Sequence, residues 1–320
     1  MRQVTLGRTK ATVSAISLGT WSYGGSNTVG DHSVGWSGHD DDTAKQALIR
    51  AWELGINHWD TADAYGNGRS EQLIGKAWST VARKDIFLAT KLGWIMGPYN
   101  HYYEPSFMRR QIDLSLKQLK TDVIDLLYLH HCMFGDFGEL FDPAIEVLRR
   151  AKEEGKIRFI GLSDWDATTI LKYADKTDPD VIQPYRNVMT DDYVTSGLKD
   201  WVDRHNVGIA FFSPLKHGLL TGKYMKPTTF PTGDFRSNVK EFSDPVVIKK
   251  TCEARKALKT MFSTHPQPVL YGLLNSLLTD TPTGCVLLGQ RSPDQVEAAA
   301  LASDAMTKSD AKWVHSLYRA

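Results

Sequence analysis

Four residues of this 320-residue chain have the types and the placing needed to protonate an oxygen that is gaining negative charge. Asp60 closes the apolar run INHWD, and Tyr65 follows in TADAYG. Lys91 closes IFLATK, and His130 closes DLLYLH. A carbonyl that accepts hydride develops its charge on oxygen. A neutral tyrosine hydroxyl, of ordinary pKa ~10, can hydrogen-bond that oxygen and then release its proton to it. A lysine ammonium nearby favours phenolate and is expected to lower that pKa. A buried aspartate would hold the lysine charged and oriented. His130 could orient the carbonyl or help relay the proton. No serine nucleophile elbow and no CxxC metal pattern competes with this chemistry.

Residues so far apart in sequence meet only if the elements that carry them converge. Eight short apolar runs are candidate strands: Ala15 to Gly19, Ile56 to Asp60, Ile86 to Thr90, Asp125 to His130, Ile157 to Leu162, Val181 to Gln183, Gly208 to Ser213 and Cys285 to Gly289. They lack strict polar alternation, as expected of strands buried on both faces. Helical patterns fill the gaps. Thr43 to Gly55 reads as a helix with Asp42 as its N-cap. Pro105, after Glu104, suits a first turn. Asp142 and Pro143 open another helix, stopped by Gly155, and Ser292 with Pro293 open a fourth. The alternation predicts an α/β fold, a (β/α)8 TIM barrel with an N-terminal β-hairpin and long loops at the catalytic face, spanning residues 1–320 as a single domain. An open doubly wound sheet would want GxGxxG after the first strand, where the chain instead reads TWSYGGS. Two polar, aromatic-bearing insertions, Ser22 to Asp40 and Tyr224 to about Pro245, are expected on the mouth as mobile pocket walls or as plain surface decoration.

These stretches resemble the aldo-keto reductases. INHWDTADAYGNGRSEQLIGKAW closely matches that family's signature. IFLATKLG, SLKQLKTDVIDLLYLHH, EEGKIRFIGLSDW, SPLKHGLLTGKY and GQRSPDQVEAA follow in the family's order. The resemblance implies reduction of aldehydes and ketones on a TIM barrel with NADPH, or NADH, and a catalytic tetrad of Asp60, Tyr65, Lys91 and His130. Adjacent strand residues face opposite ways, so only one of His130 and His131 can point at the carbonyl. The family pattern favours His130.

The resemblance also places the cofactor. It implies Gly19, Thr20, Trp21 and Asp60 at the mouth, Ser163, Asp164 and Gln183 near the carboxamide, and Phe212 against the nicotinamide ring. Ser213, Pro214, Leu215, Lys216, Gly218 and Leu219 would wrap the pyrophosphate, with Lys223 close by. Gly289, Gln290, Arg291 and Gln295 lie at a helix start, a physical site for a phosphate dianion, which favours NADPH. Three departures from the family pattern stand out. Asp164 replaces a common Asn and, ionised, cannot donate. Tyr185 and Arg186 stand where Glu and Tyr are frequent, and Arg186 would reach an anion at the rim or pair with a surface carboxylate. Ala298 and Ala299 replace Glu-Asn at the adenosine end.

Nine tryptophans supply an aromatic pocket, with Trp21, Tyr23, Trp36, Trp94, Tyr99 and Phe134 joining Tyr65 and His130 as candidate substrate contacts. Such a surface suits aryl aldehydes or sugar rings. The expected partner is a small carbonyl or alcohol. A net charge of +1 steers no nucleic acid. Three scattered cysteines, no signal segment and no apolar run of spanning length predict a cytoplasmic protein off the membrane. Monomer and homo-oligomer both stay open. Trp313, Val314, Leu317 and Tyr318 form an apolar stripe that would cross the barrel bottom or meet a partner subunit. The alternative functions are an NADP(H)-binding regulatory subunit of the channel-beta-subunit type and, more weakly, a metal-dependent sugar-processing barrel.

Overall fold

A computed structural model describes residues 1–319. Eight parallel strands close into a barrel. In chain order they are β1 (Ile16–Gly19), β2 (His58–Asp60), β3 (Phe87–Leu92), β4 (Ile124–Leu129), β5 (Ile157–Asp164), β6 (Val181–Pro184), β7 (Gly208–Phe211) and β8 (Gly284–Gly289). Each pairs with its sequence neighbour, and β8 closes onto β1, with Leu288 opposite Leu18. Helices between the strands cover the outside, so both strand faces are buried. This is the (β/α)8 barrel that the runs predict.

The barrel interior is apolar low down and polar at the mouth. Ala89, Leu126, Tyr128, Val181, Ala210 and Cys285 fill the lower part. Gly161 on β5 makes room for the Tyr128 ring, since a Cβ there would sit 2.2 Å from a ring carbon. The expected N-terminal hairpin pairs Gln3–Thr5 with Thr12–Ser14. Its Leu6 and Val13 are fully buried and stop the barrel from below.

Helix starts follow local chemistry, with two corrections. The first helix, Asp41–Glu53, is capped by Asp40, whose carboxylate accepts from the Thr43 amide at 2.7 Å. Asp42 is already inside it, where acid still favours the helix dipole. The helix at Phe141–Glu153 starts ahead of Asp142 and Pro143, with Leu140 at the cap. Pro105 and Ser292 occupy their expected positions. The last helix, Lys308–Tyr318, spends its apolar stripe within the chain. Trp313 meets the Phe262 ring at 5.9 Å, and the Tyr318 hydroxyl donates to the Leu220 carbonyl, on the β7-loop side rather than beneath the barrel. Among the described residues no helix is long and apolar enough to cross a membrane.

Arg186 lies inside the fold and reaches no rim anion. It is 1% exposed, pairs with Asp191 and Asp280, and donates to the Leu277 carbonyl. Tyr193 and Phe211 flank the guanidinium. A long side chain after β6 can turn inward because two carboxylates on separate elements meet it there. Asp280 is 38% exposed and Asp191 keeps Arg319, so the cost falls mainly on the lost packing and hydrogen bonds of the buried guanidinium, and Arg186→Ala is expected to lose about 2 kcal/mol of stability in urea unfolding. A loss below about 1 kcal/mol would give the pairs only the weight of surface contacts.

Candidate active site

The four residues singled out by type converge at the barrel mouth. Asp60 ends β2, and the turn after it brings back Tyr65, whose amide donates to the Ala62 carbonyl. Lys91 lies on β3, and His130 follows β4 with its amide on the Leu92 carbonyl at 2.9 Å. The Lys91 ammonium donates to the Asp60 carboxylate, to the Thr61 carbonyl at 2.8 Å and to the Tyr65 hydroxyl at 3.2 Å. Gln183 donates to the other Asp60 oxygen at 2.9 Å. The Tyr65 and His130 rings meet edge-on, with centroids 5.8 Å apart.

The electrostatics follow from burial. Burial alone would lower the Lys91 pKa, but Asp60 and Tyr65 outweigh it and the net shift is upward. Lys91 is therefore the cation of the site. Burial pushes the Tyr65 hydroxyl up, and Lys91 only moderates this. The lysine lowers the value as expected, but burial outweighs it: the phenol stays protonated, the form a proton donor needs. Burial, then Lys91 and His131, hold His130 well below its ordinary value, so the imidazole is neutral. His131 turns away, with Nε2 at 2.5 Å from the Gly93 carbonyl.

A cavity of about 740 Å³ opens above these groups and runs along the mouth to Arg291, Gln295 and Ala298. Most sequence-named residues line it: Gly19, Thr20, Trp21, Trp36, Asp60, Tyr65, Trp94 and His130, then Ser163, Gln183, Phe212, Ser213, Pro214, Leu215, Gly218, Lys223, Gly289, Arg291 and Gln295. Lys91 lies beneath it, 1% exposed.

Seven others do not line it. The Tyr23 ring is fully buried and its hydroxyl donates to the Gln290 carbonyl. Tyr99 stacks on Phe107 at 4.6 Å. Phe134 packs among Tyr103, Phe141 and Tyr173. Both Asp164 oxygens are taken by the amides of Cys132 and Asp166. Lys216 pairs with Glu241, Leu219 packs on Phe242 and Ile248, and the buried Gln290 amide donates to Ser17 and Leu288 carbonyls. In each case the loop was read correctly and the direction of the side chain was not. Of the two alanine departures, Ala298 faces the cavity and Ala299 is core. Tyr185 packs on Trp165 and Phe212.

Sequence reasoning missed Trp165, His217, Phe235 and Arg236, which complete the wall. The last two sit in the second insertion, whose aromatic content was their only signal. That insertion is stitched to the first across the mouth. The Asn27 amide donates to the Gly233 carbonyl, Phe235 donates to Gly35, and Ser37 donates to the Asp234 carboxylate through both amide and hydroxyl. Asp234 is fully buried and holds Arg236 by two hydrogen bonds, while Arg236 lies over the Trp36 and Phe230 rings. Arg291 joins the clasp by donating to the Ser37 carbonyl at 2.8 Å.

Comparison with known proteins fixes the lineage. The model of the Aldo/keto reductase family matches residues 15–318. The chain belongs to this family. An aldo-keto reductase [NADP(+)] of Schizosaccharomyces pombe is 36% identical over 210 residues, 62% of this chain and 60% of that protein. The match thus spans less than two thirds of that relative. An NADH-specific methylglyoxal reductase of Escherichia coli is 27% identical, over 92% of this chain and 91% of its own length. Among solved structures, a glycerol dehydrogenase from Gluconobacter oxydans superposes with a TM-score of 0.81 at 27% identity, covering 98% of this chain and 94% of that one.

In this reductase the far half of the cavity has the donor set for phosphate oxygens. Lys223, Arg236 and Arg291 line it, and the only carboxylate in the lining is Asp60, already paired with Lys91. The flank of Phe212 offers a flat apolar face at the other half. These residues fit a dinucleotide, with one restriction. The Arg291 amide is bonded to the Gln295 side chain and Ser292 caps the helix, so less of the helix start is free than its sequence suggests.

A second acidic group lies behind the tetrad of the reductase. Asp63 accepts from Gln111 and Glu71 from Thr90, and each leaves one buried oxygen without a partner. Burial raises Asp63 to about 7, and burial with Asp63 raises Glu71 to about 8. A carboxyl whose folded value lies above its unfolded one, ~4, binds more protons folded than unfolded. Its contribution is full below the unfolded value and is lost as pH rises through the folded one. The wild-type Tm should therefore fall as pH rises through about 7 and about 8. Glu71→Gln should flatten that fall. Parallel Tm curves for the two proteins would show that Glu71 does not titrate there.

Proposed function

We propose that this aldo/keto reductase reduces the carbonyl of an aldehyde or ketone to an alcohol, reversibly, with Tyr65 as the proton donor. The observation that carries the reading is the protonated Tyr65 hydroxyl receiving a hydrogen bond from a buried, Asp60-paired Lys91 beside a neutral His130. A bound NADPH supplies the hydride.

The roles of the residues follow from their charges. Tyr65 gives its proton to the developing alkoxide, and Lys91 steadies the phenolate left behind. Asp60 keeps Lys91 charged and fixed. Neutral His130 donates to the carbonyl oxygen and sets its direction. Water is kept from the oxygen by Trp21, Trp94 and the clasped loops. Gln183 and Ser163 offer polar groups for the carboxamide, and Phe212 a face for the ring. Lys223, Arg236 and Arg291 hold the phosphates. The preference for NADPH rests on this cationic end and on the NADP(+) relative. NADH remains within reach, as it is for the methylglyoxal reductase relative. We read residues 1–320 as one catalytic domain of the reducing cytoplasm, where its three cysteines stay unpaired.

Tyr65→Phe tests the reading directly. NADPH oxidation with 4-nitrobenzaldehyde, methylglyoxal and a simple ketone should fall by about 10²–10⁴-fold, while NADPH binding is kept. Undiminished turnover would remove Tyr65 from the chemistry. Tight NADPH binding without turnover of any carbonyl by the native chain would favour the regulatory-subunit alternative.

The cofactor end has its own test. Arg291→Ala should weaken NADPH by about tenfold or more, as loss of a charge-assisted contact does, and leave NADH nearly unchanged. Equal losses for both would end the assignment of Arg291 to the 2′-phosphate.

A further inference from the structure

Two buried carboxyls behind the mouth take no part in the chemistry above. Asp63 lies in the turn between Asp60 and Tyr65, and its amide donates to the Lys91 carbonyl at 3.1 Å. The backbone that carries it is thus tied to the strand that carries the lysine. Its side chain leaves the barrel, where one oxygen accepts from Gln111 of the helix Pro105–Leu119 at 3.1 Å. Glu71, on the helix Arg69–Ala77, accepts from the Thr90 hydroxyl at 2.7 Å. Thr90 and Lys91 are neighbours on β3 and face opposite sides of it. The two acids therefore occupy the layer between β3 and its covering helices, on the other side of the strand from the ammonium.

Neither acid has a cation of its own. Among the described residues Lys91 is the cation whose charge reaches both, and it is spent on Asp60 and Tyr65. On the two helices Arg69, Lys76, Arg109, Arg110 and Asp113 are all exposed. Tyr103, ahead of the second helix, is buried and also feels Asp63, but burial keeps its phenol neutral. Asp63 and Glu71 each keep one buried oxygen without a partner. A carboxyl buried without a cation, and short of a donor, favours its acid form. Burial raises Asp63 to about 7, with Gln111 opposing it. Burial, then Asp63, raise Glu71 to about 8, so Glu71 stays largely neutral while Asp63 titrates.

The charge on Asp63 reaches the proton donor. Burial dominates the Tyr65 hydroxyl, Lys91 eases its ionisation, and Asp60 and Asp63 both oppose it. Lys91 and Asp60 balance one another. With Asp63 protonated, the phenolate left by proton transfer is the one uncompensated charge. With Asp63 ionised, that phenolate becomes the second negative charge in a buried cluster, and like charge disfavours it.

We propose that Asp63 is a positioning residue for the proton transfer: protonated, it leaves the Lys91–Asp60 pair balanced and Tyr65 a ready donor, and ionised, it holds the proton on Tyr65, so that a carboxyl outside the barrel wall sets the rate of carbonyl reduction. The assignment rests on the carbonyl-reducing reading of the site. Asp63 keeps its own proton out of the reaction and acts through its charge alone.

A pH profile reads that charge. The single-turnover rate of NADPH oxidation by 4-nitrobenzaldehyde or methylglyoxal is followed from acid to alkaline pH. Wild type should step down about threefold as pH passes about 7, to a lower plateau that is not zero. Asp63→Asn should keep the upper rate through that range, and Asp63→Glu, which returns an acid, should bring a step back. Glu71→Gln should leave the step in place. Gln111→Leu removes the hydrogen bond that favours ionised Asp63, so its step should lie at higher pH, and this variant decides if Asp63→Asn does not fold. A step that survives in Asp63→Asn, with the rate lowered equally at every pH, would give Asp63 a structural role and overturn the proposal. So would a wild-type profile without a step. If wild type reduces no carbonyl, carbon NMR of isotope-labelled tyrosine decides. The Tyr65 ring signal, assigned by its loss in Tyr65→Phe, should move as pH passes about 7 in wild type and stay still in Asp63→Asn. That result sustains the influence of Asp63 while the reductase reading fails, and a signal that stays still in wild type overturns it.

Discussion

One buried ion pair governs the mouth of this barrel. Lys91 and Asp60 are almost wholly out of water, and each would be costly there alone. Their mutual contact, the Thr61 carbonyl and the Gln183 amide answer nearly every hydrogen-bonding capacity of the two. Burial sets the charge states of the neighbours, and Lys91 moderates or reinforces it. Tyr65 is pushed up and stays protonated, and His58 and His130 are pushed down and stay neutral. Asp63 and Glu71 are raised toward their acid forms. A balanced pair is thus set beneath the tyrosine end of the cavity, and the phenol beside it is the proton nearest to hand. The barrel topology makes this possible, because β2, β3 and β4 lie side by side and run parallel toward the same mouth.

The upper storey is built by contacts between distant loops. The insertions after β1 and β7 carry no strong regularity of their own, yet they meet in a short parallel bridge at Gly35 and Asp234. Asp234 joins both, through Ser37 on one side and Arg236 on the other. Those hydrogen bonds, led by Arg236 and set against the cost of burial, hold its carboxyl far below the usual range. The aromatic wall around His217 depends on this join, since Trp36 comes from one loop and Phe235 from the other. Both walls of the cavity mouth therefore share one set of supports.

What the sequence displayed and what it concealed divide along the same line. Strand positions and the meeting of Asp60, Tyr65, Lys91 and His130 were legible because apolar runs are local and strand ends on a barrel must converge. The choice of His130 over His131 followed from strand alternation and the family pattern, and the two rings do point apart. Tyr23, Tyr99 and Phe134 were misplaced because spacing names the loop and not the way a ring turns within it. For Arg186 the second of its two alternatives holds, since Asp280 is a partly exposed carboxylate, but its burial was not legible because Asp191 and Asp280 lie on separate elements that only the fold brings together. Arg236 and His217 went unnoticed for a related reason. Both meet Trp36 of the first insertion, and no period in the chain records that contact.

The clasp also bears on how the molecule is made. Its bonds join residues about two hundred positions apart, as Ser37 to Asp234 and Asn238 to Ser33 show. Contacts of such separation are formed late, since the intervening chain must first lose its freedom. During synthesis the early strands can pair while the first insertion still has nothing to hold it. Trp36 within it, and Trp21 just before it, meet Phe235 and Arg236 only after the seventh strand and the loop beyond it have left the ribosome. The pocket wall is therefore among the last parts of the protein to acquire its shape.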